Sequence, residues 1–201
     1  MITVDLEQGS EAWFKERLGK PSASNCSKII TNDGKPSKQR EGYLYELAGE
    51  IITQSRVEGY KNTFMEEGNT REQEAIDFFC MYKECALQKV GVVYANDDKQ
   101  YLCSPDGIII GKKEGFECKN PLPKTQVKYL LDGGLPSEYF GQVQFSLYVT
   151  GFKMWHFLSY VPAMKPLYIE VKRDEKFIEI LENQLKLFCS ELNQIVSKLK
   201  G

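Results

Sequence analysis

A Pro-Asp-Gly turn at residues 105–107, set between short apolar runs, constrains this chain more than any other stretch. Tyr101-Leu102-Cys103-Ser104 precedes it, Gly107 to Ile110 follows, and Gly115 to Lys119 comes next. Runs this short, punctuated by Pro and Gly, read as neighbouring strands joined by tight turns. Asp106 then heads one strand, and Glu117, eleven residues on, sits within the next. Side chains alternate across a strand, so Lys119 shares the face of Glu117.

Two carboxylates facing one point suit a divalent ion, because hard oxygen ligands favour Mg²⁺ or Mn²⁺. A metal there polarises a phosphate, and a lysine beside it orients a water as the ammonium or deprotonates it as the free amine. Turn formation alone accounts for an Asp between Pro and Gly, but not for the Glu-x-Lys that follows. The apolar neighbours Phe116 and Cys118 suggest a buried strand, where a carboxylate needs a partner or an ion.

With 201 residues, 42% hydrophobic and 27% charged, the chain fits one globular domain spanning 1–201. No apolar run approaches a membrane span, and the N-terminus lacks the basic and apolar regions of a signal peptide. A cytoplasmic location is the expectation. Six cysteines lie at 26, 80, 85, 103, 118 and 189 without a Cys-x-x-Cys pair, so free thiols are expected rather than zinc, iron–sulfur or disulfide chemistry. His156, the single histidine, lies in an apolar strand-like run and is expected to pack in the core. The net charge of −2 does not advertise nucleic acid. Local runs such as Lys35 to Arg40, or the pair Lys124 and Lys128, read as solvated surface on charge alone.

Helical periodicity marks residues 10–18, 22–30, 39–56, 66–84, 124–132, 136–150 and 174–200. Strand-like texture marks 87–94, the segments around the Pro-Asp-Gly turn, 153–161 and 166–172. Helices first, then strands covered by helices, give an α/β (α+β) class with a central mixed sheet flanked by helices.

Asp106 after Pro105, with Glu117-Cys118-Lys119, matches the PD-(D/E)xK nuclease signature, and further blocks occur in order. Trp13 to Gly19 followed by Ser22-Ala23-Ser24, Gly68 to Glu72, Cys103 to Gly107, Phe116 to Pro121, and Tyr139 to Gln144 together resemble the bacteriophage lambda exonuclease family, also called the YqaJ-type viral recombinases. The resemblance covers nearly the whole chain. It implies a restriction-endonuclease-like core and a Mg²⁺-dependent exonuclease digesting one strand of duplex DNA from its 5′ end. It also implies a toroidal homotrimer around the DNA, and a phage single-strand annealing protein as recombination partner.

The resemblance assigns roles by residue. Asp106 is the ligand shared by two Mg²⁺ ions, for which Mn²⁺ can substitute, and Glu117 with the backbone carbonyl of Cys118 completes one ion's shell. Glu72 contacts a metal directly or through water. Lys119 lies beside the attacking water, Gln142 holds the water or phosphate, and Tyr139 packs on the nucleotide. Arg17 and Ser24 resemble a pocket for a 5′-terminal phosphate, while Ser22 or Ser24 alternatively caps the second helix. Met65 falls where an apolar wedge parts the duplex, or it packs in the core. Residues 31–38 differ too much from the family's motifs to carry its DNA-end contacts over, and the short loop 111–114 takes no further phosphate-binding serine, so phosphate anchoring there has no assigned residue. Two other functions stay open: a restriction-like or repair endonuclease of the same fold, and a non-catalytic DNA-binding scaffold.

Overall fold

The computed structural model describes residues 1–56 and 64–201, the side chains of 64–70 excepted. Strand β1 (Ile2–Val4) leads to helix α1 (Glu11–Arg17), a 3₁₀ turn at Ala23–Asn25, and helices α2 (Cys26–Ile29), α3 (Arg40–Thr53) and α4 (Phe64–Lys83). Strands β2 (Leu87–Gln88), β3 (Val92–Tyr94), β4 (Leu102–Cys103), β5 (Gly107–Ile109) and β6 (Glu114–Lys119) follow. Helices α5 (Pro123–Asp132) and α6 (Ser137–Thr150), strands β7 (Met154–Ser159) and β8 (Leu167–Lys172), and helix α7 (Glu175–Lys200) complete the chain.

A five-stranded sheet in the order β2-β5-β6-β7-β8 is mixed, with β6 and β7 parallel and every other pair antiparallel. The parallel pair follows from the α5–α6 crossover, since parallel neighbours need a long connection. Strands β1, β3 and β4 form a separate antiparallel sheet. The mixed sheet flanked by helices is the class expected from sequence.

Local chemistry sets the helix ends. Ser10 caps α1 by accepting from Trp13 N–H, and Asp174 caps α7 through Phe177 N–H. Pro123 opens α5, and Gly133 closes it in the left-handed region. Helix α7 lays Phe177, Ile178, Leu181, Leu185, Phe188, Cys189 and Leu192 into the core. Each such apolar residue contributes about 2 kcal/mol of burial.

Sequence expectation and structure part in four places. Residues 22–30 form a 3₁₀ turn and one α turn instead of a continuous helix, because Ile30 is already extended and bridges to Pro36. Neither Ser22 nor Ser24 caps a helix; their hydroxyls face each other at 3.2 Å. The run 87–94 is two strands in different sheets, and β1 lies in a segment to which periodicity assigned nothing.

The two faces of β6 do different work. Phe116 and Cys118 pack under Ala75, Ile76 and Phe79 of α4, together with Leu158. The alternate residues Gly115, Glu117 and Lys119 pair in register with Trp155, Phe157 and Ser159 of β7. Trp155 and Phe157 lie under Val143 and Leu147 of α6. Glu117 and Lys119 therefore open toward α6.

His156 is buried, as expected. Its Nδ1 meets the Tyr168 hydroxyl at 2.6 Å, and its Nε2 meets Glu114 at 2.9 Å. All six thiols are free; Cys26, Cys103, Cys118 and Cys189 are buried, and Cys80 and Cys85 partly so.

Candidate active site

Asp106 lies between β4 and β5, where the chain leaves one sheet for the other. Its N–H donates to Phe116 O at 3.1 Å, and its Oδ2 accepts from Cys118 N–H at 2.7 Å. Those two bonds dock the Pro-Asp-Gly turn against β6 and set the Asp106 carboxylate beside Glu117. Glu117 sits mid-sheet and is 3% exposed. Its Oε1 accepts from Lys119 Nζ at 2.6 Å and from Gln142 Nε2 at 2.5 Å. Lys119 also stands 5.3 Å from the centre of the Tyr139 ring, which packs on Phe157. Sequence positions 117, 119, 139 and 142 are thus one cluster.

Electrostatics follow from this crowding. Burial first, and then the Glu117 charge, push the Asp106 carboxyl from 3.8 up to about 8. Glu72 adds a smaller push in the same direction. Burial alone would lower Lys119, but Glu117 and Asp106 outweigh it and hold its pKa above the usual lysine range. Lys119 is therefore a permanent cation near neutrality, a donor rather than a base. Glu72 hydrogen-bonds to neither carboxylate among the described residues; it comes from the α4 side, near enough for its charge to reach Asp106 and Cys118.

Arg17 forms the other end. Its Nη1 donates to Ser104 Oγ at 2.7 Å, and its guanidinium lies 4.2 Å from the centre of the Trp13 ring. Trp13 is itself fixed by Nε1–H donating to Gly91 O at 2.9 Å. Burial, with Arg56 nearby, lowers the Arg17 pKa to about 10, so it remains charged. Among the described residues no carboxylate pairs with it. A cavity of about 160 Å³ joins the two ends, lined by Arg17, Ser24 and Ser104 on one side and Glu117, Lys119 and Gln142 on the other. A larger hollow of about 450 Å³, lined by residues 27–39 and the start of α6, lies apart from these groups. Chemistry, not size, selects the smaller one.

The structure brings Asp106, Glu117, Lys119, Gln142 and Tyr139 together, and places Arg17 and Ser24 in the same cavity. Met65 lies outside the described side chains. Ser104, whose hydroxyl holds Arg17, was read from sequence only as part of the turn; its partner lies 87 residues away. Trp13 and Gln8 also line the cavity without having been singled out.

The donor set fits a hard divalent cation. No three His, Cys, Asp or Glu side chains close on one point among the described residues. Mg²⁺ does not require such a cage: one or two carboxylates, with waters and substrate phosphate, are its usual ligands. The Asp106 carboxyl, raised by a second acid beside it, is the group a cation there would return to its anionic form.

Asp106, just ahead of β5, and Glu117-x-Lys119 on the neighbouring strand β6 of a mixed sheet define a restriction-endonuclease-like PD-(D/E)xK core. The chain matches the YqaJ-like viral recombinase domain over residues 12–153 and belongs to that family. It is similar to the alkaline exonuclease LHK-Exo from Laribacter hongkongensis, with 25% identity, a TM-score of 0.85, and 95% and 96% of the two chains covered. The same enzyme solved with dAMP matches equally, at 26% identity. A phage-related exonuclease from Haemophilus somnus 129PT shares the fold, with a TM-score of 0.68 and 14% identity over 90% of this chain and 96% of that one. The uncharacterized protein ExoD of Escherichia coli (strain K12) is 28% identical over 78 residues, 36% of this chain and 90% of ExoD. No helix among the described residues is long and apolar enough to cross a membrane.

Proposed function

We propose that this protein is a metal-dependent 5′→3′ exonuclease that digests one strand of duplex DNA from a 5′-phosphorylated end. One cavity carries this reading: a partly buried arginine with no carboxylate partner among the described residues stands at one end, and a carboxylate–lysine–glutamine cluster at the other. The similarity to LHK-Exo, an alkaline exonuclease also solved with dAMP, supports it, because a nucleoside monophosphate is what exonucleolytic cleavage releases.

The residues divide the work. Arg17, with the Ser104 and Ser24 hydroxyls, binds the terminal phosphate as a guanidinium fork binds phosphate oxygens. Asp106, Glu117, the Cys118 carbonyl and Glu72, directly or through water, would hold one or two Mg²⁺ or Mn²⁺ ions. Bound there, such ions supply Lewis-acid polarisation of the scissile phosphate and a more acidic attacking water. Lys119 stabilises charge developing on the phosphate oxygens, and Gln142 orients the water or the phosphate through its amide. Tyr139 supports the nucleotide beside Lys119. A homotrimer encircling the duplex, and delivery of the 3′ strand to a phage annealing protein, complete the proposal.

Digestion of linear duplex with Mg²⁺ tests it, comparing 5′-phosphate ends, 5′-hydroxyl ends and closed circles. Preferential loss of the phosphorylated strand is expected, leaving single strands. Cutting of closed circles would instead establish an endonuclease, and no cutting with Mg²⁺ or Mn²⁺ would leave a scaffold. A strict monomer in gel filtration would refute the toroid.

A further inference from the structure

Between β2 and β5 the chain passes between its two sheets twice. It leaves β2 for β3 through residues 89–91, and it leaves β4 for β5 through residues 104–106, the stretch that carries Asp106. Neither crossover lies within a strand ladder, so what fixes their separation must come from elsewhere.

It comes from the segment before α1. Gln8 Nε2 donates to Val90 O in the first crossover and to Pro105 O in the second, each at 2.9 Å. Both of its N–H groups are thereby used, on partners 82 and 97 residues away. The backbone of Leu6 lies so close to Gly91 that an added Cβ would fall 2.4 Å from Leu6 O, which makes glycine obligatory at that contact. Trp13 bonds Gly91 O, and Arg17 bonds Ser104 Oγ. Residues 6–17 therefore form a clasp over the place where the sheets part, with the Gln8 amide hydrogen-bonded to both crossovers.

From this geometry we infer that Gln8 is a positioning residue for the metal ligand Asp106: it ties the Pro105 carbonyl to the opposite crossover and so braces, from behind, the turn whose bonds to β6 set Asp106 beside Glu117. The inference rests on the metal-dependent reading above. Gln8 touches neither phosphate nor metal in this scheme. It acts through one peptide unit, as the hydrogen-bonded supports of metal ligands do elsewhere, where their loss costs about 10–100-fold in metal affinity or activity.

The test uses Gln8→Met, which keeps the length and removes both N–H donors. Mn²⁺ affinity of the full chain is read by calorimetry, and the metal-free melting temperature alongside it. Expected are a loss of about tenfold or more in Mn²⁺ affinity and a matching rise in half-saturating Mg²⁺ for digestion of 5′-phosphorylated duplex. Melting should stay near the wild-type value. Unchanged Mn²⁺ affinity in folded Gln8→Met would overturn the inference while leaving the nuclease reading intact. If Gln8→Met does not fold, Gln8→Asn gives the same two readings, because its amide is one methylene too short to span both carbonyls. A wild-type chain that binds no Mn²⁺ and cuts nothing would overturn the proposed function itself, before any variant is compared.

Discussion

Asp106 should make the metal-free protein lose stability as pH rises. Burial and Glu117 lift its carboxyl from 3.8 to about 8. Near neutrality the folded chain thus keeps a proton that the unfolded chain has released. The unfolded state binds fewer protons, so stability falls by ~1.4 kcal/mol per pH unit between those values. The contribution is fully present below about pH 4 and lost as pH passes about 8. The ceiling is about 6 kcal/mol. Asp106 retains partial exposure, however, and solvent screening there leaves about half of that ceiling. Urea unfolding in EDTA at pH 4.5, 7 and 9 measures it, with Asp106→Asn as the reference that removes this one titration. Wild type should lose about 3 kcal/mol more than the variant across the range. Replacing EDTA by Mn²⁺ should flatten the difference, because a cation stabilises the charged form. Parallel profiles for the two proteins would refute the reasoning, since Asp106 would then ionise in the fold at no cost.

Asp106→Ala and Lys119→Met should each lower digestion by about 10³-fold or more while far-ultraviolet circular dichroism stays unchanged. Arg17→Met should reduce the preference for 5′-phosphorylated over 5′-hydroxyl ends by about tenfold or more, the worth of a charge-assisted hydrogen bond; paired rate measurements on the two ends read it. Gly115→Ala would put a Cβ 2.2 Å from the Trp155 ring in the core. That overpacking should cost about 3 kcal/mol and lower the melting temperature by roughly 6–12 °C.

The long elements were legible because each carries a full helical or strand period. The second sheet was not, because Ile2-Thr3-Val4 is too short to show alternation, and its place depends on pairing with residues 92–94. For the same reason 87–94 read as one strand: the break at Lys89 to Gly91 comes from Leu6 and Gln8 packing against it, which no local signal marks. In the site, Asp106, Glu117 and Lys119 were legible from turn chemistry and alternation. Gln142, Tyr139, Arg17 and Ser24 entered only through family resemblance, since a Tyr and a Gln one turn apart suit any amphipathic helix. Ser104 and Gln8 are defined by partners some 80–100 residues away, a distance over which spacing says nothing.

Net charge was the least informative property, and the cavity shows why. A total of −2 averages over a site that is itself polarised. At one end Arg17 is partly buried against Trp13 and Ser104, and no carboxylate among the described residues pairs with it, so it is free to take an anion. At the other end Glu117 already engages both Lys119 and Gln142, while Asp106 resists ionising beside it. In the proposed reading a phosphodiester is thus drawn to the Arg17 end by the chain alone, whereas the carboxylate end, where Lys119 offsets Glu117 and Asp106 keeps its proton, offers it little until a cation binds. Binding of the DNA end and cleavage of its backbone consequently draw on different charges. An acidic protein can therefore hold DNA where it must, provided the local sign of the field is set residue by residue.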